Sequence, residues 1–254
     1  MSVIEDPKYS YLIGRQPIFF RFWKKLFYYY CNTVFSIYTP VKVNGRKNLP
    51  LESAIFCSNH NSHMDVALIS SAAGKSFNHF GMLAAIDYWF DSKIKKMLTN
   101  FVMNLIPIAR KSSNKDTSIA FQDTISLCRS FMNYGNRNIV IFPEGSRGDP
   151  DQIRSFRNGA ARFSVALNKP IVPIFINGSA RAWPKGKIFM RPCKITINIL
   201  EPIYPNDYIS EDKGNDLVTK GITRHLEKVI LDERETVSYT HLRAHETKAN
   251  RGWR

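Results

Sequence analysis

Apolar residues recur along this chain in two rhythms, and their order predicts the architecture. Short apolar runs at 53–58, 79–83, 105–109, 138–142 and 171–176 read as buried strands, and 187–200 reads as one or two more. Between them, apolar positions spaced three and four apart predict helices over 64–73, 91–103, 116–134 (with Ile119, Ile125 and Leu127 among the apolar positions), 158–167 and 214–231. The alternation begins at Val41. It predicts an α/β fold: a central, mostly parallel or mixed sheet flanked by helices. No internal repeat or low-complexity linker interrupts it.

Residues 17–38 follow another logic. Ten of the 32 aromatic residues fall in these 22 positions, with Arg21, Lys24 and Lys25 as the only charges. At about 100° per residue, Arg21, Lys24, Lys25, Tyr28, Asn32 and Ser36 form one stripe. Phe19, Phe22, Trp23, Leu26, Tyr30, Val34 and Ile37 lie opposite. The longest uncharged run, 26–41, has 16 residues, which is short for a membrane span. The pattern predicts an N-terminal amphipathic helix lying in the plane of a membrane interface, aromatic side down, with Phe19, Arg21, Phe22, Trp23, Lys24 and Lys25 as its membrane-binding residues. The expected organisation is a membrane-interface segment over 1–40 and a domain over 41–233.

Charge sharpens this. The formal net charge is +15, so an anionic partner is expected. The four cysteines, Cys31, Cys57, Cys128 and Cys193, form no C-x-x-C pair and read as reduced thiols facing a cytosolic compartment. The first 17 residues contain no apolar core of a secretory signal. Residues 238–254 have neither hydrophobic period nor caps. They resemble a translated adaptor or vector read-through, are expected to be non-native or disordered, and are set aside from fold reasoning, so His241 and His245 are not read as metal ligands. They hold four basic residues and Glu246, so the remainder still carries +12.

Four segments carry candidate chemistry. In Asn59-His60-Asn61-Ser62-His63-Met64-Asp65, a buried strand ends and a helix begins, which is where open α/β sheets place ligands. His60 on the turn, with Asp65 folding back from the first helical turn, makes two-thirds of a hydrolase triad; a substrate hydroxyl would supply the third member. His63 is the weaker base candidate, because only two residues separate it from Asp65. In Phe142-Pro143-Glu144-Gly145-Ser146-Arg147-Gly148, also after a strand, the glycines permit close backbone approach and Arg147 offers a planar cation to phosphate oxygens. Glu144 would orient that arginine or accept a hydrogen bond from a substrate hydroxyl. A third strand, 106–109, ends in Arg110. In Ile171-Val172-Pro173-Ile174, a proline inside an apolar run suits an edge strand or a strand end lining a cleft, with Gly178 following.

These four blocks, in this order, resemble the glycerolipid acyltransferase family typified by 1-acylglycerol-3-phosphate acyltransferase, over residues 41–204. The likeness rests on N-H-x-S-x-x-D, a strand-end arginine, F-P-E-G-S-R and V-P-I, with Phe156-Arg157-Asn158-Gly159 similar to a basic-x-Gly segment that follows. Ile-Pro-Ile-Ala-Arg departs from the commoner form of the arginine strand. The resemblance implies His60 as general base and Asp65 as its orienting carboxylate. It implies Glu144, Gly145, Ser146 and Arg147 as acceptor-binding residues, Arg110 on the acceptor phosphate, and Pro173 shaping a substrate groove. The implied reaction moves an acyl group from acyl-CoA or acyl-carrier protein to 1-acylglycerol-3-phosphate, giving phosphatidic acid at the cytoplasmic face of a membrane. No metal or other cofactor is implied. The same chemistry on a lysophospholipid, an ornithine-type lipid or glycerol-3-phosphate is the alternative. No G-x-S-x-G elbow supports a hydrolase, and no nucleic-acid-binding module is present, so neither water nor nucleic acid is an expected partner.

Overall fold

Among the described residues of the computed structural model, seven strands form one sheet, in the order β1-β7-β6-β2-β5-β3-β4. The structure describes residues 3–85, 101, 103–109, 119–148, 152–184, 186–210 and 214–249, with side chains through 238. The strands are β1 Val41–Asn44, β2 Ile55–Ser58, β3 Phe80–Ala85, β4 Asn104–Ile108, β5 Asn138–Ile141, β6 Ile171–Asn177 and β7 Ile195–Ile199. β6 and β7 pair antiparallel, and every other neighbouring pair is parallel. The described helices are α1 Ser10–Ile13, α2 Ile18–Ile37, α3 Asp65–Ala72, α4 Phe121–Asn133, α5 Gly159–Leu167, α6 Ser179–Ala182 and α7 Asn215–Ala249. The expected strand over 187–200 is confined to β7, and the last helix continues past residue 231. Most of the helix expected over 91–103 lies outside the described residues.

Side-chain alternation splits the core in two. In β2, Ile55 and Cys57 face the cluster formed with α4, α5 and α7, whereas Phe56 faces the one formed with α2 and α3. Both faces are covered, which is why these strands read as continuous apolar runs. The cysteines are free thiols, and burial pushes those of Cys57 and Cys128 far up.

Pro173 departs from expectation. It sits in β6, an interior strand, opposite Cys57, and is buried. The sheet tolerates it because its carbonyl accepts from Leu200 N (2.9 Å). In an extended residue the missing N–H points the same way, and on that side regular pairing with β7 stops at Ile174↔Ile199.

α2 leaves most of its aromatic side exposed, the arrangement an interfacial helix needs, but Lys24 departs from expectation. Arg21, Lys24, Tyr28 and Asn32 of the polar stripe turn toward the domain, while Lys25 and Ser36 are exposed. Asn32 Oδ1 accepts from Ser71 Oγ (2.6 Å), Asn78 donates to the Arg21 carbonyl (2.9 Å), and Phe27 and Tyr28 pack on Phe77. Lys24 is fully buried, so it cannot be a membrane contact. Its ammonium donates to Gln16 Oε1 (2.8 Å) and Asn104 Oδ1 (2.5 Å), tying α2 to the start of β4. Burial, and then Arg137, hold its pKa down at about 7. Trp23 is half-buried against Phe101, while Phe19, Phe22, Lys25, Leu26, Tyr30 and Ile37 stay exposed.

Candidate active site

β2 and β5 are parallel neighbours, with Cys57 opposite Ile141, so the segments that follow them meet at the same end of the sheet. This register brings His60 beside Phe142, although 82 positions separate them in sequence. Their rings stack with centroids 3.8 Å apart and planes 14° from parallel.

Asp65 opens α3 and turns its carboxylate back onto the loop that precedes it. Its Oδ2 accepts from the backbone N–H groups of Asn61 (2.9 Å) and Ser62 (2.8 Å), and pairs with His60 Nδ1 at 2.9 Å. A carboxylate already accepting two N–H groups presents only an acceptor to the ring, so Nδ1 carries a proton, and in the neutral ring Nε2 keeps its lone pair. Asp65 is buried, whereas the His60 side chain leaves 19% of its surface open. The pair is therefore anchored on one side and reachable on the other.

Glu144 has a different place from the expected one. It is 2% exposed and bonds neither Arg147 nor open solvent. Its Oε1 accepts from His60 N (2.8 Å) and its Oε2 from Arg154 N (3.1 Å). Burial raises its pKa, and those two backbone bonds pull the other way. Gly148 N donates to His60 O (2.9 Å), so the 144–148 turn grips both sides of the His60 peptide backbone. Gly145 makes the turn possible. Its φ is +75°, and a Cβ there would lie 3.1 Å from the Arg157 guanidinium carbon.

The cations cluster on the open side. Arg147 lies against the ring nitrogens of His63, whose ring sits 5.5 Å from that of Trp183. Arginine has no acceptor and a neutral imidazole has one, so only one of the two nitrogens can accept from Arg147. Burial, and then Arg147, lower the His63 pKa accordingly. Arg154 donates to Ser146 Oγ (2.9 Å). Gly145 and Ser146 are exposed. Buried Pro173, three strand positions below the His60 loop, has no surface to offer a substrate. Arg110 lies outside the described residues.

Asn59 opens the N-H-x-S-x-x-D motif, but the motif does not state its structural role. Asn59 completes the sheet like an added strand residue: its Oδ1 accepts from Ile176 N (2.8 Å) and its Nδ2 donates to Ile176 O (2.9 Å). Its place directly before the histidine was the available signal.

The acyltransferase family model matches residues 40–177, more than half of the chain and all of the segments above. The chain belongs to the acyltransferase family. Among curated proteins it is 26% identical to the 1-acyl-sn-glycerol-3-phosphate acyltransferase of Limnanthes douglasii, over 70% of this chain and 59% of that protein. It is also 26% identical to the enzyme of that name from Cocos nucifera, over 70% of this chain and 54% of that one. The chain thus spans between half and three-fifths of these relatives' length. The solved 1-acyl-sn-glycerophosphate acyltransferase PlsC of Thermotoga maritima superposes with a TM-score of 0.58 at 22% identity, covering 83% of this chain and 80% of that one. It shares the fold.

Proposed function

We propose that this acyltransferase moves an acyl chain from a thioester donor, acyl-CoA or acyl-carrier protein, to the free hydroxyl of 1-acylglycerol-3-phosphate at a membrane surface. The observation that carries the reading is the His60–Asp65 pair, anchored on Nδ1 and open on the other side of the ring. His60 Nε2 takes the proton from the acceptor hydroxyl as its oxygen attacks the thioester carbonyl. The C–S bond then breaks, and the leaving thiolate takes the proton back from the imidazolium. Asp65 holds the tautomer and stabilises that cation. The protein forms no covalent acyl intermediate, because positioning a hydroxyl beside a base suffices.

Arg147, Arg154 and Arg157, gathered around the Gly145 turn, suit the acceptor phosphate. The relatives' names support that acceptor. The exposed apolar face of α2 supports a bilayer as the place of encounter, with the helix lying in the interface. None of the described helices is long and apolar enough to cross a membrane.

An acceptor panel tests this. Labelled acyl-CoA and acyl-carrier protein are offered with 1-acylglycerol-3-phosphate, its dephosphorylated counterpart, a lysophospholipid and glycerol-3-phosphate. The expected outcome is strong preference for the first acceptor, with Arg147→Ala raising its KM about tenfold. Equal use of the dephosphorylated acceptor would remove the phosphate role.

A further inference from the structure

The segment that follows α6 is organised yet presents its apolar tip to the outside. Ile188 and Phe189 are 81% and 82% exposed. Loose backbone does not account for this, because four hydrogen bonds hold the excursion in shape. Arg191 N donates to Ala182 O (2.8 Å) and closes its base. Lys187 N donates to Pro184 O (3.2 Å), and the Trp183 indole N–H donates to Lys187 O (2.7 Å). Tyr38 Oη donates to Met190 O (3.2 Å), joining the excursion to the C-terminal end of α2, where Ile37 and Tyr38 are also exposed. Trp183 and Met190 pack onto the core, so the two apolar residues between them are the ones left outside.

Charge around the tip selects its partner. Residues 178–200 contain five lysines and arginines and no aspartate or glutamate. Lys187, Arg191 and Lys194 are exposed. The region it joins is equally one-sided: between Asp6 and Glu52 there are eight basic residues and no acid. Adjacent exposed apolar residues ringed by cations match the boundary between acyl chains and anionic headgroups. An isolated exposed leucine or isoleucine would mean little. A fixed apolar pair continuous with a second exposed apolar face means more.

We propose that the 186–191 segment is a second membrane contact, inserting Ile188 and Phe189 into an anionic bilayer beside α2. This rests on the membrane-surface reading above. The segment's root is also the wall of the catalytic loop. Trp183 O accepts from Ser62 Oγ (2.8 Å), and its ring lies against His63. Seating the tip in lipid would therefore hold the His60 loop at the depth of a bilayer-borne hydroxyl. Two contacts, a helix and a loop, would set the tilt that one helix leaves free.

The test places an environment-sensitive nitrobenzoxadiazole fluorophore at Phe189→Cys in a Cys193→Ser background. The full chain is mixed with vesicles of phosphatidylcholine and phosphatidylglycerol, with or without acyl-chain spin labels. The expected result is a blue shift on binding and quenching by the spin labels. Flotation with the vesicles but no shift or quenching overturns loop insertion and leaves the α2 contact standing. No flotation at all overturns the membrane reading, and this proposal with it. In the otherwise unaltered chain, Ile188→Asp with Phe189→Asp should weaken vesicle binding by about tenfold or more while the circular dichroism melt stays unchanged. Undiminished binding of that variant would overturn the proposal as well.

Discussion

Two buried polar centres, one just past the end of β2 and one at the start of β4, treat charge in opposite ways. At the His60 loop, the Asp65 carboxylate is taken from water but receives two backbone N–H groups and a histidine ring within 2.9 Å. Its charge is compensated locally, and the product of that arrangement is an imidazole with one nitrogen free to act. Under α2, Lys24 is taken from water and given the neutral oxygens of Gln16 and Asn104, with Arg137 adding repulsion. There burial and Arg137 lower the pKa to about 7, and the group serves as a hydrogen-bonding pin between a surface helix and the sheet. A buried ionisable group is therefore not a sign of catalysis by itself. What separates the two centres is whether a face of the group stays open once its hydrogen bonds are made.

His60→Ala tests the contrast most severely. It should lower kcat by about 10²–10⁴-fold with little change in melting temperature, since part of the ring is exposed. Near-normal turnover of the purified variant in a steady-state assay would deprive the loop of its catalytic distinction. Glu144→Gln is the next strongest perturbation. An amide in that buried place would set an NH₂ group against one of two backbone donors, a loss of about 1.5–3 kcal/mol for a charged hydrogen bond. Because the carboxylate grips the His60 and Arg154 backbone, kcat should fall about tenfold or more with the acceptor KM nearly unchanged. A rise in KM alone would make Glu144 a substrate ligand and blur the two kinds of buried acid.

Lys24→Met is the mildest and addresses the other centre. The folded-state pKa, about 7, lies below the usual lysine value of 10.5. Between those values the unfolded chain binds the extra proton, so stability rises with pH through that window, by at most about 1.4 kcal/mol per pH unit. Below pH 7 both states are charged and the cost of burying the ammonium is fully present. Denaturant titrations at several pH values should show this slope in the wild type and lose it in Lys24→Met. An identical slope in both would mean that Lys24 titrates as an exposed lysine.

Legibility in the sequence followed the length scale of each feature. The His60–Asp65 pair was readable because its members are five residues apart, at the point where a buried run gives way to a helix. The two faces of α2, and the outward turn of the aromatic one, were readable from 3.6-residue periodicity, but the docking of its polar stripe onto the domain, with Lys24 inside, was not. That depended on Gln16, Asn104, Ser71 and Asn78 being placed to receive a polar stripe. Pro173 looked like an edge residue because its tolerance depends on where β7 stops pairing, a fact of the sheet that a single run cannot show.

By itself, then, the sequence determined the strand and helix alternation, the two motif loops and the cationic, aromatic character of the N-terminal helix, because each is written in side chains a few positions apart. Only the tertiary structure decided that Glu144 grips the His60 backbone and that Lys24 is an internal pin. Those outcomes depend on partners up to 84 residues distant. Strand register and packing bring such partners together, and no local pattern encodes their meeting.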